Sequence, residues 1–145
     1  MAVNPIPDGP RITPYLLYED VAAALDWLSR AFGLEEHGDR FTGQDGKVNH
    51  ATMKIGDGLV MMGCPGPDYR NPKRLGQATQ HLYVYIEDAD AHCKRARSAG
   101  ADIVQEPKDQ FYGDRTYAAR DLEGHQWYFA QHVRDVSPEE MKAGG

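Results

Sequence analysis

The sequence predicts an α+β protein in which one order of elements, strand–helix–three strands, is used twice in tandem. Three observations carry that prediction. An amphipathic helical segment runs from Val21 to Phe32, directly after a short apolar strand. The dipeptide Glu19-Asp20 ahead of it returns as Glu87-Asp88, again between an aromatic strand and a helical segment. Glycine turns, Gly56-Asp57-Gly58 and Leu122-Glu123-Gly124, then precede the last strand of each half, roughly 66–68 positions apart. Two strand-rich units with one helix each make an α+β chain, not an alternating α/β one.

Residues 1–10 hold three prolines and a glycine and read as an irregular lead-in. The first βαβββ module spans 11–62. Its opening strand, Ile12 to Tyr18, contains Pro14, which confines it to an edge or to the start of a ladder. Asp20 is placed to cap the helix, Val21, Ala24, Leu25, Leu28 and Phe32 form its apolar stripe, and Gly33 stops it. Leu34–Phe41, Val48–Ile55 and Leu59–Met62 read as three strands separated by glycine-rich turns. Residues 63–79, with Pro65, Pro67 and Pro72, read as a linker or lid without regular structure. The second module spans 80–133: strand His81–Ile86, helix Ala89–Ser98 ended by Gly100, then strands at Ile103-Val104, Arg115–Arg120 and Gln126–His132. The tail, 134–145, opens with Ser137-Pro138-Glu139-Glu140, a capping box with proline at the first helical position.

Composition narrows the function classes. The chain has 145 residues, 41% hydrophobic and 26% charged, which is ordinary for a globular domain. No apolar run approaches the ~18–20 residues of a membrane span. The net charge of -6 argues against a phosphate backbone as partner. The N-terminal residues have neither a basic region nor an apolar core, so no signal peptide is expected and a cytoplasmic location is. Cys64 and Cys93 form no metal-type spacing and no disulfide framework. No catalytic triad order, phosphate loop or nucleotide fingerprint is present.

The duplicated order resembles the vicinal oxygen chelate superfamily, the group of glyoxalase I, bleomycin-resistance proteins and extradiol dioxygenases. Arg11–Gly33, His50–Met62 and Tyr112–His132 carry the likeness, and within the last stretch Tyr-Gly-Asp-Arg and Arg-Asp-Leu-Glu-Gly-His-Gln-Trp are its most specific parts. The chain is most similar to the branch of small bacterial PhnB-like proteins. The resemblance implies paired modules forming curved sheets around a cleft, and a homodimer. It does not by itself imply catalysis.

Metal-using members of that superfamily place ligands on the first and last strands of each module. Carried over, those positions fall on Thr13 and His81, and, counting four residues beyond Gly58 and Gly124, on Met62 and Tyr128. A divalent ion wants three or four imidazole or carboxylate donors, and only His81 qualifies. No metal and no other cofactor is therefore expected, although His50, His81 and His125 leave open a regrouped site.

Without a metal, strand alternation supplies the cleft wall: Thr13, Tyr15 and Leu17; Val60 and Met62; His81, Tyr83 and Tyr85; Gln126, Tyr128 and Ala130. Leu16, Tyr18, Val84, Ile86, Trp127 and Phe129 then pack on the helices, and Trp27, off the helix stripe, marks a module or subunit boundary. Tyr69, Arg70, Phe111 and Tyr112 sit in loops able to cover the opening. Thr13, Tyr15, Met62, His81, Tyr83, Tyr85, Gln126 and Tyr128 thus form the expected ligand site, mostly aromatic with a few polar tips. Tyrosines in strands also simply fill sheets, so core or dimer packing is the competing role for the same residues. The leading reading is a metal-free small-molecule-binding protein for an aromatic or amphipathic ligand, cationic given the acidic surface. Its rival is an enzyme of lyase, isomerase or dioxygenase type, using a relocated metal or His81 as general base beside Tyr83 or Tyr128. A tyrosine-rich groove receiving a peptide is the third.

Overall fold

Residues 4–145 are described by a computed structural model. The elements run β1 (Tyr15–Leu17), α1 (Val21–Phe32), β2 (Glu35–Glu36), β3 (Phe41–Thr42), β4 (Val48–Ile55), β5 (Gly58–Gly63), α2 (Pro72–Leu75), β6 (His81–Tyr85), α3 (Ala89–Ser98), β7 (Asp102–Asp109), β8 (Asp114–Arg120), β9 (Gln126–His132) and α4 (Pro138–Gly144). No helix among the described residues is long and apolar enough to cross a membrane.

The helix ends follow local chemistry. Asp20 accepts a hydrogen bond from Ala23 N, and Gly33 closes α1 in the left-handed region at φ 78°. Asp88 caps α3 in the same way through Ala91 N. The first sheet has the order β1-β5-β4-β2, with β3 also paired to β4, and the second β6-β9-β8-β7. In each, the first strand of the module runs parallel to the last, so β1 and β6 are edge strands. Pro14 lies just outside that edge ladder and still accepts from Met61 N.

The back faces of both sheets and the buried sides of α1 and α3 share one core. Phe32 of α1 packs its ring against Trp127 and Phe129 of β9 and stacks on His92 of α3. Trp27 is buried at the module boundary, where its indole N–H donates to Ala99 O at 2.9 Å. Because the backs share a core, each open face points away from it.

Several strand assignments shift. The strand expected over Leu34–Phe41 is two short pieces, β2 and β3, interrupted at Gly38, which takes φ 79°. Ile103-Val104 extends to the eight-residue β7. Inside the linker, α2 forms after all: Asn71 accepts from Arg74 N, and Pro72 takes the first helical position.

Val60 and Met62 are corrected outright. Both face α1 and are buried, at 5% and 0% exposure, whereas Met61 lies on the open face opposite Tyr15 and Thr52. The cause is turn length. Ile55 pairs with Gly58 across a two-residue turn, but Arg120 pairs with Gln126 across the five residues 121–125. Counting from the glycine therefore does not preserve parity, and an odd slip exchanges the two faces.

Candidate functional site

On the second sheet the register sets His81 beside Gln126, Tyr83 beside Tyr128 and Tyr85 beside Ala130, all on the open face. His81 leans on Tyr128, with ring centroids 4.3 Å apart. Ala130 is fully covered. Tyr83 and Tyr85 meet edge-to-face at 5.6 Å and converge on Asp114 of β8.

Asp114 is the hub of this face and is 4% exposed. Its Oδ2 accepts from Tyr83 at 2.6 Å and from Tyr85 at 3.3 Å, while Oδ1 contacts His132 Nδ1 at 2.9 Å. His132 Nε2 reaches Asp135 at 2.6 Å. Burial raises the Asp114 carboxyl, but the hydrogen bonds from Tyr83, His132 and Tyr85 outweigh it and hold it below its ordinary range. Asp114 and then Asp135 raise His132. Burial, followed by the bond to Asp114, pushes the Tyr83 phenol far up, so it stays a neutral donor. The hub was not expected from the sequence. Its signal lay in Tyr-Gly-Asp-Arg: Gly113 takes φ 101°, and a Cβ there would sit 2.1 Å from Arg134 O. The glycine lets the chain after β9 close on β8 and fixes Asp114 beside His132.

The first sheet's open face is smaller. Tyr15 bonds His50 Nδ1 at 2.8 Å, and Phe41 covers the same imidazole. Tyr15 also lies across Gly63, where a Cβ would meet its hydroxyl at 2.6 Å.

Between the β1 and β6 edges lies a cavity of about 300 Å³. Of the expected site residues, Tyr15, His81 and Gln126 line it, together with Leu17, Tyr69 and Arg70. Tyr69 donates to Leu17 O at 2.8 Å, and His125 Nε2 contacts the same carbonyl at 2.7 Å, so the linker and the turn before β9 grip β1 at this point. Tyr83, Tyr85 and Tyr128 stand on the adjoining face outside the cavity, and Thr13 and Met62 are not among its walls. A wider hollow of about 970 Å³ beside Asp20, Lys47 and Cys64 contains none of the expected site residues.

Beneath the cavity is a buried acidic latch. Asp121 accepts from Tyr18 at 2.7 Å, from Trp127 Nε1 at 3.1 Å and from the N–H groups of Glu123 and His125 at 3.0 Å. Glu123 accepts from Glu19 N, Asp20 N and Asn71 Nδ2 at 2.7, 3.0 and 2.8 Å. Every bond accepted by the Glu123 carboxylate crosses to the first module or the linker. The Asp-Leu-Glu-Gly-His segment thus positions the cavity walls.

The metal-ligand positions can be read with the register corrected. They are Thr13, Met61, His81 and Tyr128: a hydroxyl, a thioether, an imidazole and a phenol. That donor set does not fit a divalent ion of the kind bound by nitrogen and carboxylate ligands. Among the described residues, no group of three or more His, Cys, Asp and Glu side chains is arranged to hold one.

The model of the Glyoxalase/Bleomycin resistance protein/Dioxygenase superfamily matches residues 11–129. An uncharacterised protein of Mycobacterium bovis is 36% identical over 149 aligned positions, spanning 99% of this chain and 95% of its own length. Among solved structures, TioX from Micromonospora sp. ML1 is 38% identical, with a TM-score of 0.69 over 86% of this chain and all of its own. The fosfomycin resistance protein FosX from Listeria monocytogenes shares the fold at 14% identity, with a TM-score of 0.63 over 92% of this chain and 96% of its own.

Proposed function

The chain belongs to the glyoxalase/bleomycin resistance/dioxygenase superfamily, and from that premise we propose that it is a metal-free small-molecule-binding protein. Its ligand, aromatic or amphipathic, enters the cavity between the β1 and β6 edges and extends over the tyrosine face beside it. One observation carries the reading: the cavity gathers Tyr15 of the first module, His81 and Gln126 of the second, and Tyr69 of the linker. A volume of about 300 Å³ with apolar walls and a few polar tips suits a small organic molecule. The donor chemistry at Thr13, Met61, His81 and Tyr128 supports the metal-free part. Sequestration by a cytoplasmic homodimer, in the manner of bleomycin-resistance proteins and on a PhnB-like frame, is the role we assign to it.

The test is a thermal-shift screen of aromatic and amphipathic compounds, followed by calorimetry on Tyr15→Ala and His81→Ala. Both side chains are on the open side and leave the core intact, so hits should lose affinity without loss of fold. Hits that bind both variants as tightly as the wild type overturn the site. Stoichiometric tightly held metal, lost in His81→Ala, overturns the metal-free assignment.

A further inference from the structure

The cavity differs in charge from the rest of the molecule. Asp and Glu make up 22 of 145 residues, yet none of the residues lining the cavity is acidic. One wall residue, Arg70, carries a full positive charge and has no ion-pair partner among the described residues. Its neighbour Arg74 is held by Glu19 at 2.7 Å. Glu19 feels Arg70 as well, but its two oxygens are already taken by Asn71 N at 3.0 Å and by Arg74, which together hold its carboxyl below the ordinary range. Of the other polar wall residues, Tyr15, Tyr69 and His125 are engaged with His50 and Leu17 O, while His81, Gln126 and the side chains of Gln77, Thr79 and Gln80 can donate as well as accept. Tyr15, Leu17, Leu75 and Leu82 add apolar area to the same lining.

We propose, resting on the small-molecule reading above, that this cavity selects an amphipathic monoanion. A carboxylate or similar anionic head meets Arg70 at the mouth, and an apolar body lies between Leu17, Leu75 and Leu82. The acidic surface as a whole favours a cation at long range, but a ligand in contact answers to the nearest charge. Long-range steering is screened out beyond about 8 Å at physiological salt, whereas a guanidinium–carboxylate contact is weakened by salt but not abolished. The acid-free lining also removes the repulsion that an anion would meet elsewhere on this protein.

The experiment uses three probes of one shape: naphthylacetate, naphthylacetamide and naphthylmethylamine. Each is titrated calorimetrically into the 145-residue chain and into its Arg70→Gln variant. The acid is expected to bind about tenfold more tightly than the amide, the amine more weakly still, and added salt to weaken the acid alone. In Arg70→Gln the acid should fall to the level of the amide while the amide is unchanged. Thermal unfolding of the variant should match the wild type, since the Arg70 side chain joins no ion pair. Equal binding of acid and amide, or a preference for the amine, overturns the anion assignment and leaves the small-molecule site standing. An acid preference that survives in Arg70→Gln overturns Arg70 as the partner. Absence of binding by all three overturns the cavity as a small-molecule site, and the anion assignment with it.

Discussion

Two hairpin turns of this molecule, β4–β5 and β8–β9, hold the same place in its repeat and do opposite amounts of work. The first, between β4 and β5, closes in two residues, and a Cβ on Gly56 would meet nothing within 4 Å. The second, between β8 and β9, spends five residues, buries Asp121 and Glu123, and presses Gly124 so close to the linker that a Cβ would sit 2.6 Å from Lys73 N. Both glycines take positive φ, 56° and 92°. Duplication therefore kept the topology and let the roles diverge. One turn merely reverses the chain, and the other fastens the two modules and the linker together. The open faces diverge likewise: Tyr15 and His50 form a single pair on the first sheet, while Asp114 gathers Tyr83, Tyr85 and His132 on the second.

The largest effect should come from the residue that joins the second hairpin to the core. Trp127→Ala should cost about 3–5 kcal/mol in urea unfolding, from the lost volume and the lost bond to Asp121. A loss under about 1 kcal/mol would detach this hairpin from the core and end the contrast. Next comes the glycine pair. Gly56→Ala should cost only the left-handed backbone term, about 1–2 kcal/mol. Gly124→Ala carries a backbone strain as well and must push Lys73 aside, so its melting temperature should fall clearly further. Equal falls would make the close approach irrelevant. The acids sharpen the same point. Glu123→Gln leaves a buried N–H facing an amide and should cost about 1–3 kcal/mol, while Asp57→Asn stays within about 0.5 kcal/mol.

The smallest effect is a pH dependence with two opposed parts. Burial lowers His92, which also bonds Phe32 O at 2.8 Å and the Tyr117 hydroxyl. A base lowered by folding contributes stability that is complete above its unfolded pKa of about 6.5 and is lost as pH falls through the folded value. His132 is raised, so its contribution is complete below about 6.5 and is lost as pH rises through its folded value. His132 is half-exposed and therefore screened, so acid should destabilise the protein overall. His92→Gln should flatten that loss and His132→Gln should steepen it, as followed by thermal melts from neutral to mildly acidic pH. The reverse pattern would exchange their assignments.

Legibility in the sequence tracked the range of the interaction. Helix α1 was readable because Asp20, the Val21–Phe32 stripe and Gly33 act within a few residues of one another. The shared face of His81, Tyr83, Tyr85, Gln126 and Tyr128 was readable because a strand has period two. Met62 was misread because parity after a hairpin depends on the length of its turn, which residue types near a glycine do not fix. How the two modules pack was not readable, because it rests on contacts between distant segments, such as Phe32 against Trp127 and Phe129 of the other module. Asp114 stands on the Tyr83 face only once β8 is registered against β9. Asp121 and Glu123 sat in the most specific motif, yet nothing local says that their partners are Tyr18, Glu19 and Asn71.

The latch has a consequence for the chain as a covalent object. Glu123 reaches partners 103 and 104 positions back along the sequence, and 52 positions back in the linker. Its grip, with the common core behind it, ties the halves without help from the peptide bonds between them. Cleavage near Pro65 or Gly66 would leave two fragments that stay associated, each the missing template of the other. Expressed apart, the later fragment would present Trp127, Tyr117 and Phe129 with no α1 to cover them. Mixed, the pieces should regain one sharp unfolding transition, which makes this small protein a split pair joined by a dispensable strap.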